Sequence, residues 1–276
     1  MMQIFAFILL FTGFAFKLSV VPFHFWTADV YEGAPVPVAA YLSVVSKAAV
    51  AFVFVSVLYS VFGGMYELWY TLIFLTAVLT IGIGNLFALR QENIKRFLAF
   101  SSIAQVGFIL IGISGGSQEG SASVVYFLLI YLFSNLGAFS VVNIVSALSG
   151  KEKIDDYKGL YKTNPGLSWI LTISLFSLAG VPPTAGFFGK LFLLTSGAGA
   201  GNYILIGYAA INMVISMYYY LRIVKAIFMD ENEHPVPSIS AGFIPGIAMI
   251  ICLAGILLTG FSGSLYTYIH QLSNGI

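Results

Sequence analysis

The amino-acid sequence predicts an all-α fold, a polytopic membrane helical bundle of about eight transmembrane helices, one or two of them discontinuous. Its 276 residues are 59% hydrophobic and 8% charged, and the mean hydropathy is +0.95, whereas a soluble domain carries about a quarter charged residues. Apolar runs of roughly 20 residues, the length that spans a bilayer, recur along the chain. We therefore expect a single membrane domain over residues 1–276, with no room for a sizeable soluble domain.

Hydropathy and helix breakers divide the chain into spans and loops. The spans are predicted at residues 3–21, 37–60, 69–89, 95–114, 122–148, 167–196, 203–228 and 242–268. Glycine, proline and charge mark loops at Glu32-Gly33-Ala34-Pro35, Gly63-Gly64, Gly115-Gly116, 151–165 and 230–237. The first run is interpreted as a span and not as a signal peptide, because no basic residue precedes Lys17.

The basic residues test this division, because one span too many or too few would mix the two sides of the membrane. Nine of the 12 Lys and Arg fall on the side that the chain reaches after the first span: Arg90, Lys95, Arg96, Lys151, Lys153, Lys158, Lys162, Arg222 and Lys225. The loops predicted on the opposite side contain none. By the positive-inside rule, the basic side is cytoplasmic and both termini face outward.

Aromatic residues are predicted at the membrane interfaces. Trp26, Trp69 and Trp169 fall at predicted span ends, where an aromatic belt would place them. The consecutive residues Tyr218, Tyr219 and Tyr220 are assigned to the same belt.

Several functional classes are excluded by what the sequence lacks. The single cysteine, Cys252, rules out a disulfide framework and a CxxC metal site. A net charge of +1 gives no reason to expect nucleic-acid binding. The sequence contains no Walker loop, no HExxH and no GxSxG, and its glycine-rich strings at 112–120 and 197–201 do not follow a strand. Nucleotide binding and soluble hydrolase chemistry are therefore unsupported.

Three lysines, Lys17, Lys47 and Lys190, are the basic residues inside predicted spans. A lysine at the bilayer centre costs about 2.5–3.5 kcal/mol on insertion scales, so each is a functional hypothesis, and proton transfer is the chemistry that a buried amine offers. Lys47 lies about 15 Å into its span, which is too deep to reach water easily. The alternatives are a lysine that serves packing alone and, for Lys17, one that extends to the interface.

Prolines near two of these lysines predict broken helices. Pro22 follows Lys17, and Pro182-Pro183 precede Lys190. Proline removes a backbone donor and interrupts a helix. Transporters use such breaks at membrane depth as ion sites, although a simple kink is the alternative.

The two proline-containing spans are the first and the sixth, so they cross the membrane in opposite directions, as an inverted-topology repeat would. We accordingly expect residues 1–60 to end a first repeat, residues 69–228 to form a second, and residues 242–268 to add one helix. On this interpretation the front of the first repeat is missing from the chain.

All 11 Asp and Glu residues, from Asp29 to Glu233, fall in predicted loops, so no lysine has a carboxylate partner in its own span. Because an unpaired buried charge is costly, the lysines are expected to be neutral, hydrated or, as we prefer, paired with a carboxylate from another chain or segment. Uncharged side chains could support a proton relay: Ser43, Ser46, Ser101, Ser102, Gln105, Ser134 and Asn135, together with His24. Ordinary helix-to-helix hydrogen bonds, and an interfacial position for His24, are the alternatives.

Six segments cover nearly the whole chain and carry a family resemblance. They are FKLSVVPFHFWTADVYEGAPVPVAA from Phe16, SKAA from Ser46, NIKRFLAFSSIAQVG from Asn93, YLFSNLGAF from Tyr131, DDYKGLYKTNP from Asp155 and GVPPTAGFFGKLFLL from Gly180. They resemble the antiporter-like subunit N (subunit 2) of proton-pumping NADH:quinone oxidoreductase, respiratory complex I.

This resemblance implies a fold of fourteen spans, of which the eight here would be the seventh to the fourteenth. It implies that Lys17 is a central relay residue on a broken helix, Lys47 a second relay site, and Lys190 part of a second half-channel. The chain would be a translocase subunit in the cell's inner (plasma) membrane. It would hold no cofactor itself, since NADH, flavin, iron–sulfur clusters and quinone would lie in partner subunits.

Two departures from the family pattern matter. The family's essential glutamate, which pairs with the first relay lysine, lies outside this chain. A histidine often found in the SSIA-H motif is Gln105 here, and glutamine cannot titrate. Two rival functions remain open at this point: a subunit of a multi-subunit cation/proton antiporter or membrane-bound hydrogenase, and a scaffold subunit that no longer pumps.

Overall fold

The structure, a computed structural model, describes residues 2–116, 118–199 and 201–273. Within these ranges the regular secondary structure is helical, apart from one isolated β-bridge between Asn93 and Lys153. The α-helices are α1 (Met2–Leu18), α2 (Phe25–Gly33), α3 (Val36–Tyr41), α4 (Lys47–Val61), α5 (Tyr66–Ala88), α6 (Ile94–Ser114), α7 (Gln118–Ser149), α8 (Leu160–Thr163), α9 (Pro165–Ala179), α10 (Ala185–Gly199), α11 (Tyr203–Phe228), α12 (Phe243–Phe261) and α13 (Gly263–Leu272). A π-helical turn, Leu42–Ser46, joins α3 to α4.

Among the described residues, six continuous helical segments and two broken helices are the candidates for crossing a bilayer. Six continuous helical segments are long and apolar enough to span it, and they include α3 with α4, α5, α6, α7, α11 and α12. The other two crossings are broken helices, α1 with α2 and α9 with α10, whose first halves are too short to span alone. The predicted all-α polytopic bundle with discontinuous helices is confirmed.

Two predicted span boundaries are wrong. The first span, predicted at 3–21, continues after the break as α2 and ends at Gly33, so the predicted loop shrinks to Ala34 and Pro35. The last span, predicted at 242–268, ends at Phe261. Ser262 interrupts it, because a stretch rich in glycine and serine is a poor helix former, and α13 then packs against α7.

The prediction that every carboxylate lies in a loop is also wrong. Asp29 and Glu32 lie in α2, and Glu67 and Glu119 lie in the first turns of α5 and α7. Glu67 and Glu119 lie at helix N-termini, which stabilise carboxylates, whereas Asp29 and Glu32 lie beyond the first turn of α2 and pair with Arg96.

The connecting segments sort onto two sides of the bundle. On the basic side, the segment after α5 contacts that before α8, where Ile94 N donates to Glu152 O and Ile154 N donates to Glu92 O. On the opposite side, Tyr66 Oη donates to Ser114 O at 3.2 Å. These contacts agree with the predicted sorting, although four of the basic residues lie in helices and not in loops: Lys95 and Arg96 in the first turn of α6, Lys225 in the last turn of α11, and Arg222 about one turn before it.

Helix α6 is the centre of the bundle. Every one of its 21 residues except Arg96 is buried, and it packs against α2, α5, α7 and α10. Small residues permit this enclosure, as they do between many membrane helices. A Cβ atom added to Gly84 of α5 would lie 2.6 Å from the backbone nitrogen of Ala104, so α5 and α6 approach closely there.

Most of the aromatic belt prediction fails. Trp169 is 51% exposed at the start of α9, but Trp69 is buried and donates its indole N–H to Phe62 O at 3.1 Å. Trp26 lies at the break of the first span, where its indole N–H donates to Phe16 O at 3.0 Å. Tyr218 is exposed on α11, whereas Tyr219 and Tyr220 beside it are completely buried.

Side-chain contacts fix the basic end of α6. Asn93 caps the helix by accepting from Lys95 N and Arg96 N. The Nζ of Lys95 lies 2.9 Å from the Glu152 carboxylate. Burial alone would raise the pKa of Glu152, but hydrogen bonds from Lys95 and Ser146 outweigh this effect and lower the pKa below its ordinary value of 4.5.

We predict that Glu152→Gln lowers the melting temperature of the solubilised protein, and that the loss shrinks on acidification. Because its pKa is lowered, the Glu152 carboxyl group releases its proton more readily in the folded state than in the unfolded chain. The carboxylate therefore adds stability above about pH 4.5, and this stability is lost as pH falls through the lowered pKa. Thermal unfolding at about pH 6 and about pH 3.5 measures this. Glu233→Gln, at an exposed carboxylate without an ion pair among the described residues, is the control. An equal loss at both pH values would contradict the prediction.

Candidate proton-relay site

The break between α9 and α10 creates the site of Lys190. In a continuous helix, the carbonyls of Leu178 and Ala179 would accept from residues 182 and 183. Both of those residues are prolines and have no N–H to donate. The Nζ of Lys190 donates to these two carbonyls instead, at 2.8 and 3.1 Å. The two prolines therefore free the oxygen atoms that hold the lysine.

Lys190 is completely enclosed. Its exposed fraction is 0%, and its Nζ lies 4.9 Å from the centre of the Phe108 ring of α6, within reach of a cation–π contact. Gln105, also on α6, donates from Nε2 to Leu178 O at 3.0 Å. The lysine and the glutamine therefore share one acceptor.

Lys47 bonds to a side chain of α6 and not to backbone carbonyls. It begins α4 directly after the π-helical turn and is 1% exposed. Its Nζ donates to Ser102 Oγ of α6 at 2.8 Å and lies 5.8 Å from the centre of the Tyr31 ring. The Tyr31 hydroxyl is buried near Ser43 and Ser102 and makes no well-aligned hydrogen bond to the described residues, so the site holds a further polar group beside the amine.

A second polar cluster lies one turn before Lys47. Ser43 Oγ is 3.0 Å from the Tyr131 hydroxyl and accepts from Asn135 Nδ2 at 2.8 Å. Within the part of the chain that the structure describes, Asn135 Oδ1 is buried without a hydrogen-bond partner. The predicted relay residues Ser43 and Asn135 thus adjoin the Lys47 site, and Tyr131 joins them.

One face of α6 connects the two lysine sites. Ser101 bonds to the Tyr220 hydroxyl, and Gln105 Nε2 lies 3.3 Å from the same hydroxyl. Ser102, the partner of Lys47, is adjacent to Ser101 in the chain. The two lysines therefore meet partners on neighbouring turns of one buried helix.

The remaining predicted residues do not join this cluster. Lys17 is exposed on the outer flank of α1 and has no ion pair or hydrogen bond among the described residues. His24 is buried in the break after it, near Pro22, with Nδ1 unpartnered. Ser46 is half-buried, and Ser134 bonds to Ser177 beside the second break at 2.7 Å.

Sequence reasoning missed Tyr31, Tyr131, Tyr219 and Tyr220. A signal was present for the last two, because residues 218–220 lie well inside the predicted span 203–228 and not at its end. Tyrosines at membrane depth need a partner for the hydroxyl, so their depth argued for a buried network. Among the described residues, no group of three His, Cys, Asp or Glu is placed to bind a metal ion.

The fold and the site define a class. Two broken helices in an apolar helical bundle, together with two lysines enclosed in that bundle, are features of polytopic ion-translocating membrane proteins. Sequence comparison narrows this class. Residues 1–216 match the family described as NADH:quinone oxidoreductase/Mrp antiporter, TM, and the chain belongs to that family.

Individual relatives are consistent with this assignment. NADH-quinone oxidoreductase subunit N of Phocaeicola vulgatus is 46% identical over 266 residues, which cover 96% of this chain and 56% of the relative. The subunit of the same name from Azobacteroides pseudotrichonymphae is 48% identical, with 98% and 57% covered. A chain in the structure of respiratory complex I from Thermus thermophilus with bound aureothin is 30% identical and matches with a TM-score of 0.79 over 93% of this chain and 56% of that one. The chain therefore spans about half the length of these relatives.

We predict that Ser102→Ala destabilises the protein by about 1–3 kcal/mol, because it leaves the Lys47 amine buried without its hydroxyl partner. Chemical denaturation of the solubilised protein measures the change. Ser102→Thr, which keeps a hydroxyl, should restore part of the loss. Ser56→Ala is the matched control, since Ser56 bonds only to its own helix at Phe52 O. Equal losses of unfolding free energy for Ser102→Ala and Ser56→Ala would contradict the prediction.

Proposed function

We propose that this chain is a proton-translocating subunit of the membrane arm of NADH:quinone oxidoreductase, in which Lys47 and Lys190 pass protons along α6. The observation that carries the proposal is that two enclosed lysines bond to groups on or beside one buried face of α6. The names of the relatives support the same function. Redox chemistry at NADH, flavin, iron–sulfur clusters and quinone would take place in partner subunits and supply the energy.

Hydroxyl groups provide the steps between the lysines. A hydroxyl accepts one proton while it donates another, so Ser102, Ser101 and Tyr220 are suited to proton transfer. Gln105 cannot titrate, and its Oε1 is buried without a hydrogen-bond partner among the described residues. A water molecule bonded to that oxygen would complete the connection to Lys190, as buried waters commonly do for orphaned polar atoms.

Electrostatics makes the relay directional. The α6 residues beside the two lysines, Ser102 and Phe108, are six residues or about 9 Å apart along the helix. Because both lysines contact this one short stretch of a buried helix, in a low dielectric a proton on one disfavours a proton on the other. A charge change at one end of the relay would therefore drive the proton toward the other end. This coupling between the two lysines needs no movement of the backbone.

Lys17 would be the link to a neighbouring segment. It is exposed beside apolar side chains such as Phe16, an environment in which a lysine needs a partner at membrane depth. We propose that a carboxylate from a segment outside the described residues, or from another subunit, covers this face and pairs with Lys17. The basic side would face the cytoplasm, in keeping with the positive-inside rule.

We predict that Lys47→Ala and Lys190→Ala each abolish most proton pumping in the assembled complex, because each removes the group that carries the proton. The measurement is the ratio of protons translocated to electrons transferred in proteoliposomes, with complex content checked by gel analysis. Lys162→Ala, at an exposed lysine paired with Glu231 at the surface, is the control. A normal ratio in both lysine variants would indicate a non-pumping scaffold and overturn the proposal.

We also predict that Lys17 forms a covalent cross-link to a carboxylate when the intact complex is treated with a hydrophobic carbodiimide, since this reagent joins an amine only to an adjacent carboxylate. Peptide mass spectrometry identifies the partner, and the intact mass of the subunit tells whether the partner belongs to the same polypeptide. Lys190, whose Nζ bonds to backbone carbonyls, should remain unmodified. Absence of a Lys17 cross-link, with efficient modification elsewhere, would rule out the paired carboxylate.

A further inference from the structure

An ion triad joins α2 to the first turn of α6. The Nη1 atom of Arg96 lies 2.6 Å from Asp29 Oδ1 and 2.7 Å from Glu32 Oε2. Asp29 and Glu32 are three residues apart in α2, so their side chains are neighbours on the surface of that helix. One guanidinium on α6 therefore binds two carboxylates of α2.

The first turn of α6 supplies a second contact with α2. The Nζ of Lys95 lies 3.5 Å from the carbonyl oxygen of Ala34, directly after the last residue of α2. The same amine pairs with Glu152. The two basic residues that begin α6 therefore both bind groups in or next to α2.

The backbone does not fix how α2 is rotated about its own axis. Residues 19–24 separate α2 from α1, and within them Val21 N donates to the Thr80 hydroxyl at 3.0 Å and not to a carbonyl of α1. At its other end α2 stops at Ala34, which is extended with ψ of 155°. No hydrogen-bond ladder therefore carries the rotation of a neighbouring helix into α2. Side-chain contacts must set it.

The rotation of α2 decides whether Tyr31 reaches the Lys47 site. Tyr31 is completely buried, and its ring centre lies 5.8 Å from the Nζ of Lys47. Successive residues of an α-helix are about 100° apart around the axis. A rotation of α2 by one residue position would therefore carry the ring away from the amine.

The triad is suited to fixing this rotation and not to stabilising the fold. The Arg96 side chain is 32% exposed, and both carboxylates are more exposed. Ion pairs at such positions contribute little to stability. A guanidinium bound to two carboxylates one turn apart nevertheless resists rotation, because turning α2 in either direction lengthens at least one of the two contacts.

We propose that the Arg96–Asp29–Glu32 triad is a positioning device for the proton relay. It holds α2 at the rotation that places Tyr31 against Lys47, and the face of the Tyr31 ring then keeps the charged amine near its partner Ser102. The three charged residues are positioning residues, since they act on Lys47 only through Tyr31. This role rests on the proposed function of Lys47.

Thiol labelling measures the position of α2. In a Cys252→Ser background, Ala28→Cys places a thiol on the buried face of α2. In the intact complex, Arg96→Gln should raise the rate at which N-ethylmaleimide labels this cysteine by about tenfold or more, because α2 is then free to rotate.

Lys158→Gln is the matched control for the labelling. It removes an ion pair with Asp155 on the same side of the bundle, from a side chain that is 34% exposed, and it should leave the labelling rate unchanged. The same unchanged rate in Arg96→Gln would overturn the proposal.

Pumping shows whether the position of α2 matters to the relay. Arg96→Gln should lower the number of protons translocated per electron by about threefold or more, since a misplaced group is costly in a transfer step. Glu32→Gln keeps the Asp29 pair and should lose less, and it replaces Arg96→Gln if that variant does not assemble. Lys158→Gln should pump normally.

A covalent link separates position from charge. In the Cys252→Ser background, Glu32→Cys combined with Arg96→Cys should pump poorly. Treatment with a bifunctional methanethiosulfonate reagent, which ties α2 to α6 without any charge, should restore pumping, and reduction of the link should abolish it again. A link that forms and restores nothing would overturn the proposal.

Tyr31→Leu tests the contact through which the triad acts. It should lower pumping as Arg96→Gln does, and the two changes together should pump no worse than either alone, because both remove one contact. Losses that multiply would contradict the proposal. If Lys47→Ala abolishes pumping while Arg96→Gln pumps normally, the positioning role is wrong and the relay stands. If Lys47→Ala pumps normally, the relay itself fails, and the role of the triad in it fails too.

Discussion

A buried polar group in a membrane bundle must find its partner inside the protein, and this constraint organises the structure around α6. The helix is enclosed on all sides, so its serine and glutamine side chains cannot reach water or lipid headgroups. Ser102, Ser101 and the Nε2 atom of Gln105 bond to Lys47, to Tyr220 and to the carbonyl of Leu178, which come from three different helices. One of these three bonds holds Lys47, and the Leu178 carbonyl of another also accepts from Lys190.

The prolines of the sixth span show how the sequence creates such a partner. Each proline subtracts one donor from the helix, and two adjacent prolines leave two adjacent carbonyls without a partner. One lysine, eight residues from Pro182, satisfies both. The break and the lysine therefore stabilise each other: without Lys190 the Ala179 carbonyl would lose its partner and the Leu178 carbonyl would keep only the bond from Gln105, and without the break the amine would lose both of these oxygen atoms.

Much of the fold could be predicted from the sequence because it depends on composition and on backbone donors. Apolar runs, breakers and the sorting of basic residues locate the crossings, and proline chemistry locates the second break. The helix faces could not be predicted, since a span that is apolar all round carries no periodicity that distinguishes its buried side. Tyr218 and Tyr219 are neighbours in the sequence, yet one is exposed and the other enclosed. For the same reason Lys17 and Lys47 look alike in the sequence, although only Lys47 points into the bundle.

The chemistry of the enclosed site favours protons over alkali cations. In transporters that bind sodium, backbone carbonyls freed by a helix break coordinate the ion. Here the corresponding carbonyls, Leu178 O and Ala179 O, already accept from Lys190. A metal cation would have to displace an amine and share its low-dielectric surroundings, and among the described residues neither Lys47 nor Lys190 has a carboxylate within ion-pair distance to offset that charge. A proton displaces no ligand, because it binds to the amine itself, and the oxygen atoms that accept from the neutral lysine also accept from the charged one.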